Sequence, residues 1–223
     1  MKLLILRPEP GASRTAIRAR EMGLEPIVAP VFAIRKLDPP AVDPSRFEAV
    51  LLTSANGARH APPGLSGMPC FAVGESTAAA ARQAGFADVR TGPSDGAAAA
   101  AMIERAGMKR AIHLCGREHL PQDAGIAIER LVVYAAEPLP WDPLEGPLVA
   151  AIHSPRAGAR FAELTRDRSR IAVAAISAAA AAATGEGWAA KAVAVAPRDE
   201  ALLELAAKLC NHGVDVVRSG DGL

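Results

Sequence analysis

Short apolar runs that do not alternate with polar residues, each followed by a small-residue turn or an Ala-rich stretch of helical length, constrain this chain most. "LLIL" precedes "ASRTAIRAREMG", and "CFAVG" precedes "ESTAAAARQAG". "AVLL", "AIHLCG", "LVAAIHS", "IAVAAIS" and "AVAVAP" follow the same habit, the last leading into "DEALLELAAKLC". Strand, turn and helix in alternation imply parallel sheets covered by helices. Runs that are apolar throughout imply strands buried on both faces. The expected class is therefore α/β.

Two stretches break the rhythm. "VFAIRKLDPP" and "RLVVYAAEPLPW" are β-prone, end in prolines and are not followed directly by a helix. They read as connectors, near residues 31–38 and 130–140, that cross between two lobes. Each follows a strand unit with an Arg just beyond the strand, Arg7 after "LLIL" and Arg117 after "AIHLCG", and each precedes a related turn, "TSANGAR" or "HSPRAGAR". The chain thus reads as two copies of one pattern, Met1 to about Gly107 and Met108 to the C-terminus. If the connectors cross, one lobe is discontinuous, residues 1–35 plus 139–223, and the other is 39–133. A small-molecule site is then expected between lobes, at the carboxyl ends of the strands.

The 223 residues suffice for a sizeable core, and half of them are hydrophobic. With 25 basic and 24 acidic residues, charge gives no case for a nucleic-acid partner. No apolar run approaches the roughly 20 residues of a membrane-spanning helix. The start "MKLLILRPEPG" lacks the longer apolar region of a signal peptide and reads as a first strand. The three scattered cysteines, Cys70, Cys115 and Cys210, suit a reducing cytoplasm and not a disulfide framework. A cytoplasmic protein without a membrane partner is expected.

The turns share one chemistry. Ser54, Ser154 and Ser177 each sit at a strand–helix junction, where a serine oxygen caps free N–H groups. Pro155 falls at the first helical position. Gly74 opens "GESTA", and Thr77 lies in the first turn of its helix. Any one serine is explained by capping alone. Several helix N-termini aimed at one cleft would make a receptor for anions such as carboxylates. Neither a P-loop nor G-x-G-x-x-G after a strand is present, so no cofactor is expected. His113, Cys115 and His119 fit no zinc spacing, and no metal site is expected. His153, before Ser154, has no partner Asp nearby in sequence, which makes a Ser–His–Asp reading poor. Lone arginines such as Arg59 and Arg160 read as solvated. Tyr134, the single tyrosine, lies on the second connector and either packs or faces the cleft.

In order and spacing, "LILRPEPG", "VLLTSANGAR", "AVGESTAAAARQAGF", "VVYAAEPL", "IHSPRAGARFAEL" and "AAISAAAAAA" resemble the uroporphyrinogen-III synthase family over most of the chain. The resemblance implies two flavodoxin-like parallel-sheet lobes joined by a two-stranded connector. It implies the substrate hydroxymethylbilane, a linear tetrapyrrole rich in carboxylates. Loss of its terminal hydroxyl gives an electrophilic azafulvene on ring A. Attack by ring D gives a spiro intermediate that fragments and recloses with ring D inverted. Positioning is then the main catalytic task, with one donor to the departing hydroxyl. Carried over by position, that donor is Tyr134. The substrate-binding positions are Ser54, Asn56, Gly74, Thr77, Ser154, Pro155 and Ser177, with Arg7 and Gly116 at the ends of their strands.

The chain departs from the family pattern in three places. Ala180 stands where the second copy of "VGESTA" would show a threonine. The helix after "TSANGARH" is cut short by Pro62 and Pro63. The helix expected after Arg117 must end by Gly125. A monomer is expected. The competing reading is a cytosolic bilobed binding protein that closes on an anionic small molecule without catalysis. A nucleotide-dependent transferase of Rossmann type is a further rival that protection by nucleotide would reveal.

Overall fold

Residues 1–92, 95–118, 124–142, 144 and 146–212 are described by a computed structural model of the chain. The chain begins β1 (Lys2–Ile5), α1 (Gly11–Glu21), β2 (Pro26–Val28), β3 (Phe32–Lys36), β4 (Ala49–Leu52) and α2 (Ala55–Arg59). It continues β5 (Cys70–Val73), α3 (Gly74–Gln83), β6 (Val89–Gly92), α4 (Gly96–Arg105), β7 (Arg110–Gly116) and β8 (Ala127–Pro138). The last part is β9 (Leu148–Ile152), α5 (Pro155–Leu164), β10 (Ile171–Ala175), α6 (Ala178–Ala183), β11 (Ala190–Val193) and α7 (Asp199–His212).

The fold is α/β, with two sheets dominated by parallel pairing. The first has the order β11-β10-β9-β1-β2, all parallel, with Leu3 opposite Val149 and Ala150 opposite Val173. The second has the order β3-β8-β7-β4-β5-β6. Contacts divide the chain into one unit of Met1–Ala33 with Pro138–Leu223 and another of Ile34–Glu137. Each sheet belongs mainly to one unit, and both crossings of the chain fall within β3 and β8.

The uniformly apolar runs are the strands buried on both faces: every residue of β4, β9 and β10 is buried. Many are alanines. Ala150, Ala151, Ala172, Ala174 and Ala175 are at most 1% exposed. Small side chains let helices lie close on the sheet, and Ala16, Leu202 and Ala206 pack against the first sheet in a single core. In the second unit, Leu52, Ala72, Ala78 and Leu114 pack together on one side, and Leu51, Phe71, Ala100 and Ile103 on the other.

The connectors pair as expected. The Leu37 amide donates to the Val133 carbonyl at 3.0 Å, and the Leu139 amide to the Val31 carbonyl at 3.1 Å. Leu37 meeting Val133 while Val31 meets Leu139 makes the pairing antiparallel. The connector is not a free-standing ladder, however. β8 also pairs in parallel with β7, so the two connectors extend the second sheet at its edge. Along β8, Leu131, Val133 and Ala135 are buried and their neighbours less so, the period of two of a strand with one covered face. That is why this run reads differently from β4 or β9.

Between β7 and β8, Arg117 and Glu118 form a bend, and β8 begins at Ala127. The short helix expected after Arg117, and His119 with it, would fall on residues 119–123, outside the described residues. The strand β2, which was not read as a separate element, takes the edge of the first sheet beside β1.

Candidate functional site

The serine turns at the carboxyl ends of β4, β9 and β10 are built alike. Ser54, Ser154 and Ser177 have extended backbones, with φ of −151°, −162° and −156°. Their side-chain oxygens accept the amides of Gly57 (3.1 Å), Ala157 (3.2 Å) and Ala180 (3.2 Å). Pro155 occupies the first turn of α5 as expected. The turns recur because helices must leave these strands at close quarters. A Cβ on Gly57 would lie 2.5 Å from the Leu114 carbonyl, and one on Gly158 2.9 Å from the Ala180 carbonyl. Both glycines seat a helix on neighbouring backbone.

In the unit of residues 34–137, Ser54 has a second role. Its hydroxyl lies 2.9 Å from the Tyr134 hydroxyl. The register of β7 against β8 slips between Cys115 and Gly116, so that Gly116 faces Tyr134. Such a bulge re-aims a side chain. Gly116 is buried, and a Cβ there would come 2.7 Å from Tyr134 Cζ and 3.0 Å from its hydroxyl. The structure therefore joins three of the expected residues, Ser54, Gly116 and Tyr134, and gives Gly116 the role of making room for the ring.

His60, at the end of α2, has its ring centroid 6.2 Å from that of Tyr134. Burial, with Lys36 and Arg59 nearby, pulls its pKa below the usual histidine value. The side-chain oxygen of Asn56 accepts from Arg59 at 2.8 Å, so this expected contact residue is engaged within its own helix. Thr53 meets the Nε2 of buried His113 at 2.9 Å. At the end of β5, Gly74 opens α3 with φ +70°, a conformation that favours glycine. No side chain caps that helix, and Thr77 is buried within its first turn.

In the unit of residues 1–33 and 138–223, the strand order puts β1 beside β9, so the residues just past each strand meet. They meet on Asp199, the first residue of α7. His153 Nε2 lies 2.9 Å from Asp199 Oδ1. Arg7 Nη1 donates to the same oxygen at 3.2 Å, and Arg18 Nη1 donates to Oδ2 at 2.9 Å. The fully buried Thr15 donates to Asp199 at 2.8 Å. His153 has no Asp close in sequence, but the fold gives it one 46 residues away, beyond any local motif. The neighbouring Ser154 is engaged as the cap of α5.

Burial pushes the His153 pKa below its usual value, against the pull of Asp199. Burial alone would raise the Asp199 pKa. The hydrogen bond from His153, with Thr15 and Arg7, instead holds it below the usual carboxylate range. An ionised carboxylate only accepts, so the neutral imidazole carries its proton on Nε2. Sequence reading missed Asp199, Thr15 and Arg18 in this cluster. The one available signal was an acidic residue at a helix start, which is common to many helices.

Among the described residues no group of three or more His, Cys, Asp or Glu could hold a metal. Burial pushes the Cys70 thiol up to about 12. Cys115 Sγ donates to the Leu131 carbonyl at 3.7 Å. No described helix is long and apolar enough to cross a membrane. A cavity of about 780 Å³, lined by Trp141, Phe161, Leu164 and Arg170 among others, opens near the amino ends of β9 and β10. None of the expected site residues lines it, and Ser154 and Ser177 lie at the opposite ends of those two strands.

The family "Uroporphyrinogen-III synthase HemD" matches residues 13–204. No curated protein matches the chain. Among solved structures, uroporphyrinogen-III synthetase from Helicobacter pylori is 18% identical with a TM-score of 0.67, covering 94% of this chain and 100% of that one. A mutant uroporphyrinogen III synthase from the extremely thermophilic bacterium Thermus thermophilus is 15% identical with a TM-score of 0.55, covering 95% and 100%. At such identities these two structures speak for the fold.

Proposed function

Because the chain belongs to the uroporphyrinogen-III synthase family, we propose that it converts hydroxymethylbilane into uroporphyrinogen III, with loss of water and inversion of ring D. The family match across residues 13–204 carries this reading. Elimination of water makes the enzyme a hydro-lyase, and it acts as a monomer in the cytoplasm.

The substrate needs its terminal hydroxyl to leave and its floppy chain to be held. The Tyr134 hydroxyl serves the first need. Ser54 Oγ accepts the Gly57 amide and lies 2.9 Å from the Tyr134 oxygen. When Ser54 donates its proton to that oxygen, the phenolic O–H is not spent on Ser54 and can turn to the departing hydroxyl. The same serine proton steadies negative charge as the phenol gives up its own. Gly116 leaves the space that the ring occupies. The pyrrole nitrogens supply the electrons for azafulvene formation, so the protein adds a hydrogen-bond donor and no strong base.

Holding falls to the turns after the strands. Backbone N–H groups near Ser54, Gly74, Ser154 and Ser177, together with Arg7, offer donors to the substrate carboxylates. The test supplies freshly prepared hydroxymethylbilane and separates the oxidised products. The type III isomer supports the function. Only the type I isomer, at the rate of spontaneous closure, refutes it and favours a binding protein without catalysis.

A further inference from the structure

The Asp199 cluster gathers more side-chain donors than a helix start requires. Oδ1 takes Arg7, Thr15 and His153, and Oδ2 takes Arg18 and the longer, 3.1 Å contact from Thr15. The Asp199 side chain is 11% exposed and that of His153 5%. A carboxylate this enclosed is costly unless its donors are fixed. What the arrangement fixes is Arg7. Its Nη1 has two acceptors, Thr15 Oγ1 at 3.3 Å and Asp199 Oδ1 at 3.2 Å. Both Nη1 protons are thereby used.

The opposite side of the guanidinium is different. Nε and Nη2 have no hydrogen-bond partner among the described residues, and the side chain is 30% exposed. That edge presents two parallel N–H donors, the fork that a carboxylate takes bidentately. The space beside it is kept clear by Gly11: a Cβ there would stand 2.6 Å from Nε and 3.0 Å from Nη2. Charged neighbours of both signs surround the cluster. Arg14 is close enough to act on Arg7 electrostatically, and Glu200 shares Arg18 with Asp199. The nearby Glu9 carboxylate is occupied by the amide and hydroxyl of Ser13.

We propose that Asp199 is the positioning residue of a carboxylate subsite whose receptor is the Nε–Nη2 edge of Arg7. The ligand is one carboxylate side arm of the tetrapyrrole, so the identity of the ligand rests on the function proposed above. Asp199 and Thr15 tie down Nη1, and the fork is held ready at the carboxyl end of β1. Pre-organisation of this kind lowers the entropic cost of binding. An amide cannot replace the carboxylate, because its nitrogen would face the donors of Arg18 and Thr15.

The test is a double-mutant cycle on the full chain with two readouts. One is KM and kcat with hydroxymethylbilane. The other is fluorescence titration with uroporphyrin III, a stable polycarboxylate that needs no turnover. Arg7→Ala should raise KM and the probe's Kd by about 10-fold, the loss expected for a charge-assisted hydrogen bond. Asp199→Asn should raise both in the same direction with kcat nearly unchanged. The double variant should be no weaker than Arg7→Ala alone, because Asp199 acts through Arg7. Arg7→Lys should not restore binding, since an ammonium has no fork.

Unchanged Kd in Arg7→Ala or in folded Asp199→Asn overturns the proposal, as do effects that multiply in the double variant. Should Asp199→Asn fail to fold, Thr15→Val removes one acceptor of Nη1 and must weaken the probe through Arg7 in the same way. If it does not, the proposal falls. Wild-type protein that binds uroporphyrin III with this coupling but forms no type III isomer would refute the function and leave the subsite standing.

Discussion

Replacing Gly116 by Ala tests whether the register slip between β7 and β8, where Val133 of β8 is the extra residue, exists to seat Tyr134. The added methyl would lie 2.7 Å from Cζ and 2.8 Å from Cε2 of the ring. Carbon atoms in contact ordinarily stay about 3.5–4.0 Å apart, so the ring must retreat by roughly 1 Å. The Ser54–Tyr134 hydrogen bond, 2.9 Å long, would then stretch to about 3.9 Å, beyond hydrogen-bonding range. Overpacking of a buried site costs about 1–3 kcal/mol. The Gly116→Ala protein should lose that much in urea unfolding. Its type III product formation should fall at least as far as that of Tyr134→Phe, because the hydroxyl is misplaced as well as unsupported. If the clash is with the ring, Gly116→Ala should cost far less stability in a Tyr134→Leu background. Wild-type turnover and unfolding midpoint in Gly116→Ala would refute the argument. So would an equal stability loss in both backgrounds.

Tyr134→Phe should keep the fold and slow turnover by roughly 10²-fold or less, the low end for general-acid assistance. Its isomer ratio should move less than its rate, and full activity would make Tyr134 a packing residue. Gly57→Ala should destabilise by about 1–3 kcal/mol in denaturant titration, because its methyl would meet the Leu114 carbonyl, which is backbone and cannot swing aside. Stability should fall as the pH drops from 7 to 5. The unfolded chain takes up a proton on His153 near the ordinary histidine pKa of about 6.5, while the folded state, with its lowered pKa, resists. His153→Gln should flatten that slope in urea titrations. His60, lowered too, contributes with the same sign, and His60→Gln measures its share. The depressed Asp199 contributes stability above its ordinary carboxyl pKa and loses it only in stronger acid.

The sequence by itself determined what is encoded locally. Runs such as "IAVAA" and "LVAAI" carry no polar residue, so both faces must be covered, and β10 and β9 are buried throughout. Ser54, Ser154 and Ser177 sit three residues before the amides they accept. A cap of that kind is decided within one helical turn, which is why its position could be read from the chain alone. The proline-bounded connectors declared themselves by breaking the rhythm.

Tertiary structure decided what depends on strand order and register. β1 lies beside β9, and only this brings Arg7 and His153 onto Asp199, 192 and 46 residues away along the chain. The slip at Cys115 and Gly116 turns a strand-end glycine into the seat of Tyr134. Nothing in "AIHLCG" announces that slip, because a glycine's lack of a side chain matters only once another strand is laid against it. Cap chemistry acts between near neighbours in sequence. The charge cluster and the tyrosine pocket arise between elements, where closeness is set by how the sheets assemble.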